Sequence, residues 1–121
     1  MTTAQRPDPA KDNAHDLLPD WLAAEVPALY SQERVKDPMV RVKLFTPDSS
    51  WTWYVLEYSA HSPDGVSRLC FGLVDGQEPE LGYFSLDELA SVRGPLGLRI
   101  ERDLYFQPCP LSQVRHPDQG A

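Results

Sequence analysis

The stretch from Trp51 to Tyr58 carries aromatic and β-branched side chains and contains neither Gly nor Pro. That composition predicts a β-strand, because such side chains pack well on a pleated, half-buried surface. Successive side chains of a strand point to opposite faces of the sheet. We expect Trp51, Trp53, Val55 and Glu57 on one face and Thr52, Tyr54, Leu56 and Tyr58 on the other. Since both faces are largely apolar, the pattern predicts a central strand.

Shorter patterns on either side of this strand complete the fold prediction. Alternating side chains predict strands at 39–45, 68–74, 81–84 and 99–106. An apolar stripe predicts a helix at 16–26 that Asp16 caps, and Ser85-x-x-Glu88 is a capping box that starts a second helix. A helical turn is expected at 111–114. The order predicts an α+β fold with a mostly antiparallel sheet of about five strands and two or three short helices.

The length of 121 residues permits one domain, which we place at 16–114. Residues 1–15 have almost no apolar side chains, and this composition predicts a disordered tail. We expect a frayed C-terminus at 115–121. Within the domain, periodic apolar positions in three elements predict one core that contains Trp53, either Leu56 or Tyr54, Phe71 and Leu89.

Charge and cysteine content narrow the class of protein. The formal net charge of −7 disfavours nucleic-acid binding, which depends mainly on Lys and Arg, although a local basic patch is compatible with it. We expect neither an export signal nor a membrane span, because the chain has no charged-then-apolar leader and no long apolar run. Cys70 and Cys109 are therefore expected to be free and reduced, and the location cytoplasmic.

Two groups of side chains are candidates for binding. Trp51 and Trp53 beside Arg41 and Lys43 resemble a stacking surface for single-stranded nucleic acid, but the same residues can also form core and sheet face. Asp75, Glu78 and Glu80, followed by Asp87 and Glu88, form an acidic run that could bind a cation, mimic a phosphate backbone, attract a basic partner or simply be solvated. Their spacing lacks the alternating ligands and the glycine of a calcium loop.

Catalytic chemistry has weaker support in the sequence. The carboxylates Glu57, Glu101 and Asp103 could act as an acid–base pair only if the fold brings them together. His15, His61 and His116 have no Cys or His neighbours at metal-ligand spacing, and the chain has no phosphate-binding loop or nucleophile elbow. We therefore predict no cofactor and no metal, and we lean against an enzyme.

Six blocks resemble a small bacterial family called domain of unknown function 2958. They are LYSQE at 29–33, FTPDS at 45–49, WTWY at 51–54, LGYFSL at 81–86, RGPLGL at 93–98 and IERDLYF at 100–106. The resemblance covers roughly 18–114 and implies a cytoplasmic bacterial protein of plasmids, conjugative elements or phage, often near transfer and anti-restriction genes. It supplies no catalytic residues. The chain departs from the family in its N-terminal tail, in the polar loop 60–66 and at Cys70, where the family pattern implies an aromatic residue.

Two functions are consistent with these patterns. The first is a non-enzymatic accessory protein that binds a macromolecular partner, most simply a protein, in counter-defence or transfer. The second is a single-strand nucleic-acid-binding protein that uses Arg41, Lys43 and the tryptophans. The residues most concerned are Arg41, Lys43, Trp51, Trp53, Asp75, Glu78 and Glu80.

Overall fold

A computed structural model describes residues 7–115, apart from the side chains of Pro9 and Arg115. A 3₁₀ turn at Pro9–Lys11 precedes three short helices, α1 (Asp20–Ala23), α2 (Leu86–Ser91) and α3 (Leu111–Arg115). The strands are β1 (Met39–Val40), β2 (Val42–Phe45), β3 (Thr52–His61), β4 (Ser67–Asp75), β5 (Pro79–Ser85), β6 (Glu101–Arg102) and β7 (Cys109–Pro110). None of these helices has the length and apolar character needed to cross a membrane.

Five strands form one antiparallel sheet in the order β5-β4-β3-β2-β6, and β1 pairs with β7 in a separate ribbon. The α+β fold with a mostly antiparallel sheet is confirmed. β3 is central as predicted, and β2, β4 and β5 lie close to their predicted positions. The strand predicted at 99–106 is shorter than expected, because only Glu101 and Arg102 pair with β2 before the chain turns at 104–105.

The sheet separates two apolar clusters, where the sequence predicted a single core. Trp53 and Leu89 belong to the cluster that packs under α1, α2 and the N-terminal segment. Phe71 packs against the cluster on the opposite face, which contains Tyr54, Leu56 and α3. The prediction that Phe71 shares a core with Trp53 and Leu89 was wrong, because β3 and β4 are covered on both faces.

Two irregularities change the predicted facing of side chains. The pairing of β3 with β4 shifts between Val55 and Glu57. Glu57 therefore pairs with Phe71 and shares the face of Phe71, instead of the face of Trp53 that the sequence predicted. Such a bulge adds one residue to one strand and turns over the alternation beyond it. A break at Arg41 likewise separates Val40, in the Leu56 cluster, from Val42, in the Trp53 cluster.

Part of the predicted N-terminal tail packs against β6. The Arg102 guanidinium donates to both Asp12 carboxylate oxygens, at 2.8 and 3.0 Å, and Arg102 Nε donates to the Asp16 carbonyl at 2.9 Å. The Arg102 backbone N–H donates to the Ala14 carbonyl at 2.7 Å. Residues 12–15 are thus in contact with the domain, which the sequence prediction began at 16. Residues 1–6 and 116–121 lie outside the described part, including most of the predicted C-terminal fray.

The helices differ in how well the sequence located them. Ser85 Oγ accepts a hydrogen bond from the Glu88 N–H at 3.3 Å, which confirms the predicted cap of α2. The helix predicted at 16–26 is regular only at Asp20–Ala23, and Pro19, not Asp16, occupies its N-cap. Leu17 and Leu18 are buried ahead of that helix, so their apolar side chains belong to the core without being helical.

Candidate functional site

Trp51 closes the loop of the β2–β3 hairpin, and both its backbone and its ring contact neighbouring residues. The Trp51 N–H donates to Thr46 Oγ1, and the Thr46 N–H donates to the Trp51 carbonyl, each at 3.0 Å. The ring stacks on Trp53 at 6.1 Å between centroids, and a Cβ at Gly76 would collide with it. Trp51 nevertheless remains 40% exposed, whereas Trp53 is buried. Trp51 is therefore an aromatic side chain that is both positioned and accessible.

Acidic side chains lie directly beside this ring. Trp51, Val74, Gln77, Glu78 and Glu80 line an open concavity of about 410 Å³. Glu78 and Glu80 are both exposed at the β4–β5 turn and the start of β5. Asp75 is arranged differently, because it alternates with Val74 along β4 and so faces the side of the sheet that carries Tyr54. The structure thus brings two of the three predicted acidic residues together with Trp51.

A loop of mostly apolar side chains, with the basic Arg93 among them, borders Trp51 on its other side. Thr46, Trp51, Trp53, Val92 and Pro95 contribute to a second concavity of about 370 Å³. The loop after α2 is fixed by the Asp48 carboxylate, which accepts from the N–H groups of Leu96 (2.8 Å) and Leu98 (3.3 Å).

Gly94 gives Asp48 the space for these bonds, since a Cβ there would collide with the carboxylate. Leu96 and Leu98 remain exposed. We call Trp51, Glu78 and Glu80, together with the loop from Val92 to Leu98, the Trp51 surface.

The predicted basic residues lie apart from the stacked tryptophans. Lys43 pairs with Tyr54 and Leu44 with Trp53, which places Lys43 on the opposite face of the sheet from Trp53. The Lys43 ammonium is 3.8 Å from the Asp103 carboxylate, although Lys43 and Trp51 both border a shallow concavity at the end of the sheet.

Arg41 lies further away, in the break between β1 and β2. It lines a small cavity with Trp21, Arg102 and Phe106, and its Nε is buried without a hydrogen-bond partner among the described residues. The guanidinium thus borders a different part of the protein from Trp51.

The three carboxylates considered for catalysis have separate partners. Both oxygens of buried Glu57 accept backbone N–H groups, from Tyr30 at 2.7 Å and Gln32 at 2.8 Å. Glu101 lies 3.8 Å from His15, and Asp103 contacts Lys43. Within residues 7–115, no group of three or more His, Cys, Asp or Glu side chains is placed to hold a metal ion.

The two cysteines have no disulfide bond in the structure. Burial raises the pKa of the Cys70 thiol to about 12, an effect that Arg68 partly opposes. Cys70 lies in the core cluster with Trp53, so it serves as a small apolar side chain.

A comparison with protein families accounts for nearly all of the described chain. The family described as Protein of unknown function (DUF2958) matches residues 15–115. The chain belongs to this family. Comparisons with curated proteins and with solved structures find no match. The family description names no activity, so the function rests on the surfaces themselves.

A further apolar surface was missed in the sequence. Val35, Leu56, Phe71, Leu81 and Tyr83 line a groove of about 420 Å³ beside β5, which we call the β5 groove; its lining also includes the charged Glu33 and Lys36. The Phe71 and Tyr83 rings are 4.9 Å apart, and Leu81 and Tyr83 are 44% and 53% exposed. The alternation of Leu81 and Tyr83 with Gly82 was the available signal, but it showed a strand without showing that this face stays uncovered.

Proposed function

We propose that this protein is a non-enzymatic accessory protein that acts by binding a macromolecular partner with a basic surface, most simply a protein. Its setting is proposed to be the cytoplasm of a bacterium that carries a mobile genetic element, in counter-defence or in transfer. The observation that supports this proposal best is the Trp51 surface, where a fixed, exposed indole lies between acidic and apolar side chains.

Binding on this surface combines electrostatic attraction of the partner with an aromatic anchor. Exposed carboxylates on a chain of net charge −7 attract a basic surface over roughly a Debye length, about 10 Å at moderate salt. A tryptophan whose ring is already positioned loses little conformational freedom on binding, and such residues dominate many interfaces. Val92, Leu96 and Leu98 add exposed apolar area next to it.

Single-strand nucleic-acid binding is the alternative, and one observation favours it. Trp51 and Lys43 border the same shallow concavity of about 340 Å³, where a base could stack while a phosphate meets the ammonium. Against it, Asp103 already lies beside Lys43. A short oligonucleotide that binds with steep salt dependence, and that loses affinity in Lys43→Ala and Trp51→Ala, would support this alternative over a protein partner.

The proposal is tested by reversing charge on the Trp51 surface. The tagged protein is used to capture partners from its host with nuclease treatment, and the partner is identified by mass spectrometry. Affinity for the purified partner is then measured for the wild type and for the double variant Glu78→Lys, Glu80→Lys. We expect roughly a tenfold loss at low salt that shrinks as salt is raised.

A matched control separates local charge from total charge. The double variant Asp64→Lys, Glu25→Lys changes the net charge equally, at exposed positions away from Trp51. It should retain most of the affinity. If the two double variants bind the partner with the same affinity, the position of the acidic residues does not matter, and the proposed surface is incorrect.

Trp51 itself provides the second test. Trp51→Ala removes the anchor and should weaken binding by tenfold or more, on the scale of about 2 kcal/mol for an interface tryptophan. Trp51→Phe keeps an aromatic ring on Trp53 and should retain part of the affinity. If both variants bind the partner as tightly as the wild type does, Trp51 is not part of the interface.

A further inference from the structure

The outer side of β5 is an uncovered sheet edge. Within residues 7–115, β5 pairs with β4 alone and ends the five-strand order. The strand is seven residues long, and all of residues 79–83 except Gly82 are exposed. Edge strands in natural proteins are usually short, charged with Lys, bulged or covered, because their free N–H and C=O groups pair readily with another chain. Proline at an edge is another such device, and β5 has Pro79 at its first residue but no Lys.

The two faces of this edge differ in chemistry. On one face, Leu81 and Tyr83 form the outer rim of the β5 groove, with Phe71 behind them. On the other face lies Glu80, which shares the concavity of Trp51 with Glu78. A strand added to β5 would therefore meet mainly the apolar side chains of Leu81 and Tyr83 on one face, with Glu33 and Lys36 also lining the groove there, and carboxylates on the other.

From this arrangement we infer that β5 accepts an extended segment of a basic partner, in which apolar residues alternate with Lys or Arg. The apolar residues pack on Leu81 and Tyr83, and the basic residues face Glu78 and Glu80. Period-two alternation in a strand delivers both sets at once. Addition of a strand to an exposed edge is an established mode of peptide recognition. The inference rests on the proposed function, since it states how the basic partner docks.

Charge also argues against a second copy of this chain as the occupant. Antiparallel pairing of two β5 strands about Gly82 would place Glu78 and Glu80 of one copy beside the start of α2 in the other. That helix carries Asp87 and Glu88 in its first turn. Like charges placed across strands are destabilising, and each chain already carries a net charge of −7. A basic segment has the complementary charge.

The test uses peptides, so it does not depend on a variant that folds. The parent probe is acetyl-Lys-Val-Lys-Phe-Lys-Val-Lys-amide, and two derivatives carry backbone N-methyl groups on the apolar residues only or on the internal Lys residues only. Alternate N–H groups of a strand point to opposite edges, so only one methylated set can face β5. We expect one derivative to bind roughly tenfold or more weakly than the parent and the other to bind nearly as well.

Two double variants test whether the peptide binds at β5. Leu81→Lys with Tyr83→Lys should weaken binding of the parent peptide, and Glu78→Lys with Glu80→Lys should do so most at low salt. Asp64→Lys with Glu25→Lys is the control and should bind the peptide like the wild type. Circular dichroism and thermal melting curves check that each variant is folded. A peptide of the same composition with its Lys residues grouped at one end should bind weakly.

Several results would overturn strand addition. One is that the parent peptide does not bind at all. Another is that both methylated peptides bind like the parent, which indicates charge attraction without strand pairing and leaves the proposed function intact. A third is a stable dimer in sedimentation that the peptide does not dissociate, which makes a second copy the occupant. Failure of the proposed function gives a different result, because the host partner then binds the Glu78→Lys, Glu80→Lys variant as tightly as the wild type.

Discussion

The two edges of the sheet are built in opposite ways. β6 has only two residues, and the N-terminal segment covers it through Arg102, which bonds to Asp12, Ala14 and Asp16. β5 has seven residues, and in the described part of the chain it pairs on one side only. One edge is short and closed by a buried ion pair, while the other is long and accessible.

The difference separates an edge that contributes to stability from an edge that stays accessible. Arg102 and Asp12 are 3% and 10% exposed at their side chains, so their pairing closes β6 within the core. Among the described residues, the rings of Tyr30 and Phe71 contact Tyr83, and both Leu81 and Tyr83 remain about half exposed. An accessible edge of this length carries an aggregation risk, and its retention is understandable if a partner occupies it.

The largest expected effect comes from opening the closed edge. Asp12→Ala leaves the Arg102 guanidinium buried without its carboxylate, so we expect a loss of about 3–5 kcal/mol in the free energy of unfolding. Deletion of residues 1–15 should cost at least as much. Reversible denaturant unfolding measures both, with exposed Lys11→Ala as the control. A change below about 1 kcal/mol in Asp12→Ala would mean that β6 is closed by other contacts.

A smaller effect is expected beside the open edge. Phe71 is partly buried in the second cluster and contacts Tyr83. Phe71→Ala should cost about 2 kcal/mol, less than the roughly 3–5 kcal/mol typical of a fully buried Phe. The measurement is the midpoint and slope of the same denaturant transition. A loss as large as that of Asp12→Ala would show that the β5 side is as important to stability as the β6 side.

The end of β5 is expected to contribute about 1 kcal/mol. Ser85→Ala removes the acceptor of the Glu88 N–H at the start of α2. Ser85→Asp keeps a side-chain oxygen at that position and is the matched control. An unchanged melting midpoint in Ser85→Ala, with helix content intact, would argue that the cap adds nothing to the domain.

The smallest stability change is expected on the open edge itself. Leu81→Lys replaces an exposed side chain, so the free energy of unfolding should change by no more than about 0.5 kcal/mol. Tyr83→Lys also removes the ring contacts with Phe71 and Tyr30, so it should cost about 0.5–1 kcal/mol. Solubility should improve, because an edge Lys discourages pairing between chains. If either substitution destabilises the fold by more than 2 kcal/mol, these residues belong to the core and the contrast between the edges fails.

Local patterns predicted much of this fold. The aromatic run of β3 and the Ser85 cap follow from side chains within a few residues of each other, and both are confirmed. The contacts of Arg102 with Asp12 join residues about ninety positions apart, so no local pattern could show them. The bulge before Glu57 has the same origin, because it depends on the register with β4.

The candidate site was predictable only in part. Trp51, Glu78 and Glu80 were identified from their residue types, and the fold brings them together. The sequence grouped Asp75 with the two glutamates and Lys43 with Trp51, but strand alternation and pairing put both Asp75 and Lys43 on the other face. The β5 groove depends on which strand ends the sheet, and strand order is a property of the whole chain.

Amide hydrogen exchange, with and without the captured partner, tests the central claim most directly. In the free protein, the Arg102 N–H that donates to Ala14 should exchange slowly, while the outward N–H groups of residues 80–83 exchange fast. Addition of the partner should slow exchange in β5 and around Trp51 and leave Arg102 unchanged. Protection that appears at residues 101–103 instead, with none in β5 or near Trp51, would contradict the account.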